Sequence, residues 1–482
     1  MKRLFAITPL LIAGQMALAQ DGLLTLEDTN KIEYLSDACS DYLSYDCFST
    51  GKILLNMEFK AIASLVEKGC DAENTRSCTL LAGMHLTETG VEYDTKISSD
   101  LFAKSCESGD AQACTYLGIS YYRGDGVEVD TETGRAFYQK GCDGGDGQGC
   151  SNLGFAYKNG GSVTKDLTRA LTYFEKSCAS GHGIACFQAG RAYEKGNGVE
   201  KNRDQGISFY EQGCQQNNYA SCDGQAKLLD SPAASAETMS KVASLYTKAC
   251  MHQVFAACVD LGYMHSQGRF VQQDNLRAAD LYKRACDGDN AQACTNLGYF
   301  YEIGKGLDID IIKSAELYRK ACDHGNNSGC NNLALLYEKG EGVRQDVDMA
   351  ISLYDDACLN SHASSCTNLG YLYKEGELVE TDYTKSIQLY ERGCNFGHAL
   401  GCTRLGFMYD KGLGVQVDFD RAAGLYEKAC DDGNMTGCRN LGQMYEYGDG
   451  VSKSQTRAQE IYQNACDQND EKSCGYLENL TK

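Results

Sequence analysis

Proline is nearly absent: Pro9 and Pro232 are the two in 482 residues, so the chain must turn by other means. Glycine, at 52 residues and concentrated at fixed positions, supplies them, as expected of short helices joined by glycine turns. Beyond the first twenty residues no apolar run approaches ~18 residues, so no later segment reads as a membrane-spanning helix. Basic residues are also short, with 45 Lys and Arg against 66 acids and a net charge of −21. Such a surface repels nucleic acid and anionic membrane, which excludes both as expected partners, and the acidity itself reads as solubility. Zinc spacings of the C-x2-C or C-x4-C kind and the haem spacing C-x-x-C-H are missing, so neither a metal nor a cofactor is expected. The seven histidines, His85, His182, His252, His265, His324, His362 and His398, form neither H-x-H nor H-E-x-x-H. Five of them, all but His85 and His265, fall between paired cysteines and read as polar turn residues.

What is present begins with a leader. Lys2 and Arg3 precede the apolar run Leu4 to Ala13, and Ala17-Leu18-Ala19 has the small residues of a cleavage site, so residues 1–19 are expected to be a secretory signal peptide. The mature protein is then expected outside the cytoplasm, periplasmic or secreted.

That compartment gives the 26 cysteines their meaning, since an even number in an oxidising space implies disulfides. The first cysteine of a pair stands at Cys39, 31 residues ahead of the next, and then recurs every 36 residues without insertion or deletion at Cys70, Cys106, Cys142, Cys178, Cys214, Cys250, Cys286, Cys322, Cys358, Cys394, Cys430 and Cys466. Its partner follows eight residues later, at Cys47, Cys78, Cys114, Cys150, Cys186, Cys222, Cys258, Cys294, Cys330, Cys366, Cys402, Cys438 and Cys474. Each bridge is expected within its pair, where a tight antiparallel turn keeps the Cα atoms within the ~7 Å a disulfide tolerates. A strict period of this size is the signature of a solenoid.

Within one period, Leu297, Gly298 and Tyr301 lie three, four and seven positions after Cys294 and mark one face of a helix, here helix A. Gly304 and Gly306 close it. Asp310 is a candidate N-cap for helix B, whose stripe is Ala315, Leu317, Tyr318 and Ala321. A repeated glycine on helix A implies a close neighbour, and the aromatic of helix B four residues before its cysteine is the expected one, packed in the core.

The Leu-Gly pair, the Tyr-x-x-Gly-x-Gly-Val pattern of Tyr193 to Val199 and Tyr445 to Val451, and the Lys-Ala-Cys-Asp close at Lys320 to Asp323 resemble Sel1-like repeats, relatives of the tetratricopeptide repeat. With a cysteine pair in every unit and a leader, the chain is similar to the Hcp group of secreted, cysteine-rich Sel1-like-repeat proteins. The resemblance implies an all-α, right-handed superhelical solenoid of 36-residue hairpins. It also implies β-lactamase or penicillin-binding activity, with a β-lactam as ligand. The residues themselves do not carry that chemistry. Ser49-Thr50-Gly51-Lys52 and Ser162-Val163-Thr164-Lys165 match Ser-x-x-Lys, but Ser-Asp-Asn and Lys-Thr-Gly are absent, and no catalytic residue is assigned.

The competing expectation is a scaffold that binds a protein or peptide along helix A. Asn152, Asn296, Asn332, Asn368 and Asn440 share the second position after the cysteine and would form a ladder of amides for an extended backbone, or else act as ordinary helix residues bonded to a neighbouring turn. The domain reading is a capping region at 20–69 with the first cysteine pair, a repeat array at 70–474 and a C-terminal cap at 475–482. The unit from Cys222 to Cys250 keeps its length but loses Leu-Gly, the tyrosine and the glycine turn, with Ser231-Pro232-Ala233-Ala234 in their place.

Overall fold

The computed structural model describes residues 59–60, 62–160 and 163–480. Within them the chain is all-α, a solenoid of helical hairpins. The expected signal peptide at 1–19, the Cys39–Cys47 pair and both Ser-x-x-Lys serines lie outside the described residues.

One hairpin explains the others. Asn290 caps helix A by accepting from the Ala293 amide at 3.0 Å. Helix A then runs Ala291–Ile303 and ends at Gly304, whose φ of 69° is the left-handed conformation that only glycine adopts without cost. A loop leads to Asp310, which caps helix B, Ile311–Asp323, by accepting from the Lys313 amide at 2.9 Å. Asp310 is therefore the N-cap that the spacing predicts.

The hairpin is held shut by the glycine and the aromatic. A Cβ built on Gly298 would stand 2.8 Å from the ring of Tyr318, closer than packed atoms approach. The same clash recurs between Gly262 and Tyr282, Gly370 and Tyr390, Gly406 and Tyr426, and Gly442 and Tyr462. These helix B tyrosines are at most 2% exposed, so the core reading of the aromatics holds.

Successive hairpins are tied covalently. Twelve disulfides join cysteines eight apart, from Cys70–Cys78 to Cys466–Cys474. Their Cα atoms stand 4.5–4.8 Å apart. In each the first cysteine lies in the last turn of helix B and the second in the first turn of the next helix A, as the spacing predicts.

Two compact units divide the chain, one ending at Ala249 and one beginning at Cys250. The first contains four regular hairpins from Thr75 to Gln215 and then the irregular pair, Tyr219–Leu229 and Ala236–Met251, of 11 and 16 residues where 13 is the rule. The second contains six regular hairpins from Phe255 to Asp467 and a last helix, Glu471–Leu480. Among the described residues no helix is long and apolar enough to cross a membrane.

Candidate functional site

Helix A presents three faces. Its Leu and Gly positions pack on helix B, and its cysteine face enters the bridge. The positions two, five and nine residues after the cysteine lie three and four apart and form a third stripe. In the second unit the middle of that stripe reads Tyr263, Tyr299, Leu335, Tyr371, Phe407 and Gln443, one period apart. The four rings in this row are 52%, 47%, 40% and 37% exposed, far more than their helix B counterparts. Sequence reasoning missed this row, although the residue after Leu-Gly is aromatic at Tyr263, Tyr299 and Tyr371 and was legible there.

The five predicted asparagines occupy the foot of the same stripe and are all half-buried. Their amides are engaged within the chain. Asn152 and Asn296 accept from Gln148 and Gln292 one turn earlier, each at 2.9 Å. Asn332 accepts from Asn331 at 3.2 Å, and Asn368 donates to the Asn331 side-chain oxygen at 3.0 Å. Asn296, Asn332 and Asn440 also reach the hydroxyls of Tyr282, Tyr318 and Tyr426 on the preceding helix B. The asparagines thus share one register, and part of their hydrogen-bonding capacity serves buried tyrosines.

Those hydroxyls have a second partner on the helix A of their own hairpin, sixteen residues earlier. Tyr210 donates to Glu194 at 2.5 Å, Tyr318 to Glu302 at 2.6 Å, Tyr354 to Glu338 at 2.9 Å, Tyr462 to Glu446 at 3.2 Å and Tyr426 to Asp410 at 3.5 Å. Burial first, and the facing carboxylate with it, push these phenols well above their ordinary range, so they remain donors. Where helix B carries Phe102 or Phe174 instead, the facing positions are Leu86 and Lys158, and no carboxylate is left without its donor.

The histidines between cysteines are turn and cap residues, as expected: His182, His362 and His398 are N-caps and His324 a C-cap. A serine–histidine contact does occur. The His362 Nδ1 lies 2.9 Å from the Ser365 hydroxyl, and Nε2 lies 3.3 Å from that of Ser328. Ser365 is fully buried and donates its own proton to Asn331 at 3.0 Å, so Nδ1 must be the donor toward it. A nucleophile would need the opposite polarity, with the imidazole accepting.

Ten stretches of the chain match the Sel1 repeat model: 75–110, 111–146, 147–182, 183–218, 255–290, 291–326, 327–362, 363–398, 399–434 and 436–470. The gap at 219–254 is the irregular pair. No curated protein matches the chain. Among solved structures, a protective antigen of uropathogenic Escherichia coli displaying an SLR fold has a TM-score of 0.69 at 24% identity, over 87% of this chain and 90% of that one. A Sel1 repeat protein from Oxalobacter formigenes has a TM-score of 0.51 at 22% identity, over 64% and 90%. Cysteine rich protein B of Helicobacter pylori is 30% identical over 28% of this chain and 96% of its own, with a TM-score of 0.24. With ten matched repeats and a disulfide joining each to the next, the chain belongs to the Sel1-repeat family as a cysteine-rich member.

Proposed function

We propose that this protein is an exported scaffold that binds a protein or peptide partner along the outer stripe of its A helices. The observation that carries the reading is the row Tyr263, Tyr299, Tyr371 and Phe407, solvent-open rings repeated at the solenoid period on hairpins braced by disulfides. Aromatic rings of this kind offer large apolar area with few rotors to immobilise, which favours binding. Packed helices stand roughly 10 Å apart, so an extended peptide rising about 3.3 Å per residue passes from one helix A to the next in about three residues. The oxidising compartment that the disulfides suit is consistent with export. A hydrolytic role for Ser49 or Ser162 has no observation in its favour.

A photo-crosslinking amino acid placed at Tyr299 or Tyr371 in the native exported protein tests this, with Glu316 on the solvent face of helix B as the control position. The same protein should be trapped from both stripe positions and not from the control. Adducts from the control alone, or from neither stripe position, would overturn the reading.

A further inference from the structure

In the second unit two hairpins lack the facing carboxylate: Tyr282 has Ser266 there instead, and at Tyr390 the position is cationic. Tyr390 is 1% exposed, and its hydroxyl, with the side chains of Arg404 and Ser386 beside it, has no partner at good hydrogen-bond geometry and no carboxylate. Sixteen residues earlier, where the neighbouring hairpins carry Glu338 and Asp410, stands Lys374. At the asparagine position of the next helix A stands Arg404, whose Nε is buried and also without a partner. Ser386 nearby gives its proton to the Gly370 carbonyl at 2.7 Å. The usual Glu–Tyr–Asn arrangement has become Lys–Tyr–Arg, two cations around a hydroxyl with no carboxylate among them.

The surroundings keep the cations in place. The Arg404 guanidinium lies 4.2 Å from the ring centre of Tyr371 and 6.0 Å from that of Tyr390. The Lys374 ammonium lies 5.7 Å from that of Phe407. Each cation therefore reaches across to an exposed ring of the other helix A, with Tyr390 buried between them. Glu375 accepts one proton of Lys374 at 2.8 Å, which leaves that ammonium two more to donate. Burial pushes the Tyr390 phenol up, with Arg404 acting against it, so the phenol too stays a donor. In a chain of net charge −21 this is a locally cationic notch.

We propose that Lys374 and Arg404, which flank the buried Tyr390, form a carboxylate-binding notch, filled by a carboxylate of the partner peptide where neighbouring hairpins supply their own Glu or Asp. The assignment rests on the scaffold reading for its peptide, but not for its chemistry. A carboxylate has the lone pairs that the two cations lack, and a guanidinium beside an ammonium binds it through charge-assisted hydrogen bonds. Tyr371 and Phe407 on either side would receive apolar residues flanking the acid.

Acetate isolates the notch. Titrated into the full chain carrying ring-labelled tyrosine, with Tyr390→Phe to assign the signal, it should shift Tyr390 saturably where chloride at equal ionic strength does not. The double variant Lys374→Glu with Arg404→Asn restores the Glu–Tyr–Asn arrangement of Tyr318, so it should melt no lower than the wild type and lose the acetate shift. Lys374→Gln, which removes a donor without adding charge, should weaken the response and serves if the double variant folds poorly. No saturable shift in the wild type, a shift that persists in these variants, or tighter binding of inorganic phosphate than of acetate would overturn the notch. Peptides selected from a random display library on the immobilised chain supply the second arm. They should be enriched in carboxylates and bind the double variant at least about tenfold more weakly. Peptides indifferent to the double variant would overturn the notch and leave the scaffold standing. An acetate response with no selectable peptide would overturn the peptide as occupant.

Discussion

The two units use the same hairpin and dispose of their aromatic residues differently. In the first, rings meet rings inside each hairpin: Tyr121 stacks on Phe137, Tyr157 on Tyr173 and Tyr193 on Phe209, at centroid distances of 5.5–5.6 Å. In the second, the helix B member of that pair is Leu317, Leu353, Leu389 or Leu425, and the helix A tyrosine takes a cation instead, as Lys385 does over Tyr373 and Arg421 over Tyr409. The outer stripe shows the same contrast. It carries Ile119, Phe155 and Arg191 in the first unit, where Phe155 packs edge-on against Phe174, and open rings in the second. A fixed backbone thus has aromatic positions that can turn to cohesion or to contact, and the second unit has turned them outward.

The comparison fails first if the cores differ. Tyr318→Ala in the second unit and Tyr210→Ala in the first remove equivalent buried rings, each with its hydroxyl on a helix A glutamate, and should each cost about 3–5 kcal/mol, read as loss of hydrogen-exchange protection in the hairpin concerned. A clear inequality would mean that the units are not built alike. A smaller effect sharpens the contrast on the stripe. Phe155→Ala should destabilise by about 1 kcal/mol or more through its contact with Phe174, whereas Tyr299→Ala should stay within about 0.5 kcal/mol in denaturant unfolding. Equal costs would make the open rings structural.

The smallest effect is one of pH and belongs to the second unit. Burial holds the imidazoles of His362 and His398 below the ordinary value of 6.5, and Arg404 and His362 lower His398 further. The unfolded chain then binds protons more readily than the folded one, so this stability is present above pH 6.5 and is lost as pH falls below it. The thermal midpoint should drop between neutral and mildly acidic pH, and His362→Gln with His398→Gln should flatten the drop. An unchanged slope would show that neither histidine is linked to folding.

Much of this was legible in the order of residues. The period, the pairing of cysteines, the Asp310 cap and the glycine facing an aromatic follow from local rules, because each concerns residues joined by one turn or one helix. The partner of each buried hydroxyl does not. That Glu302 meets Tyr318 depends on how two helices cross, and the asparagines read as an open ladder until the preceding helix B is seen to reach them. The exception at Tyr390 becomes visible only once the rule is known. The irregular pair at 219–254 was recognised by what it lost, but its helices of 11 and 16 residues could not be read from a pattern it lacks.

The placement of the bridges also decides how the molecule survives damage. Each disulfide spans the exposed turn between helix B and the next helix A, so a protease that cuts beside Gly325 opens a small ring and releases nothing, with Cys322–Cys330 still joining the two sides. The loops inside hairpins, such as the exposed stretch from Asp308 to Asp310, have no such tie. Proteolytic wear would therefore accumulate as silent nicks at one kind of turn and as true breaks at the other, and fragments seen under reducing conditions should outnumber those seen without reductant.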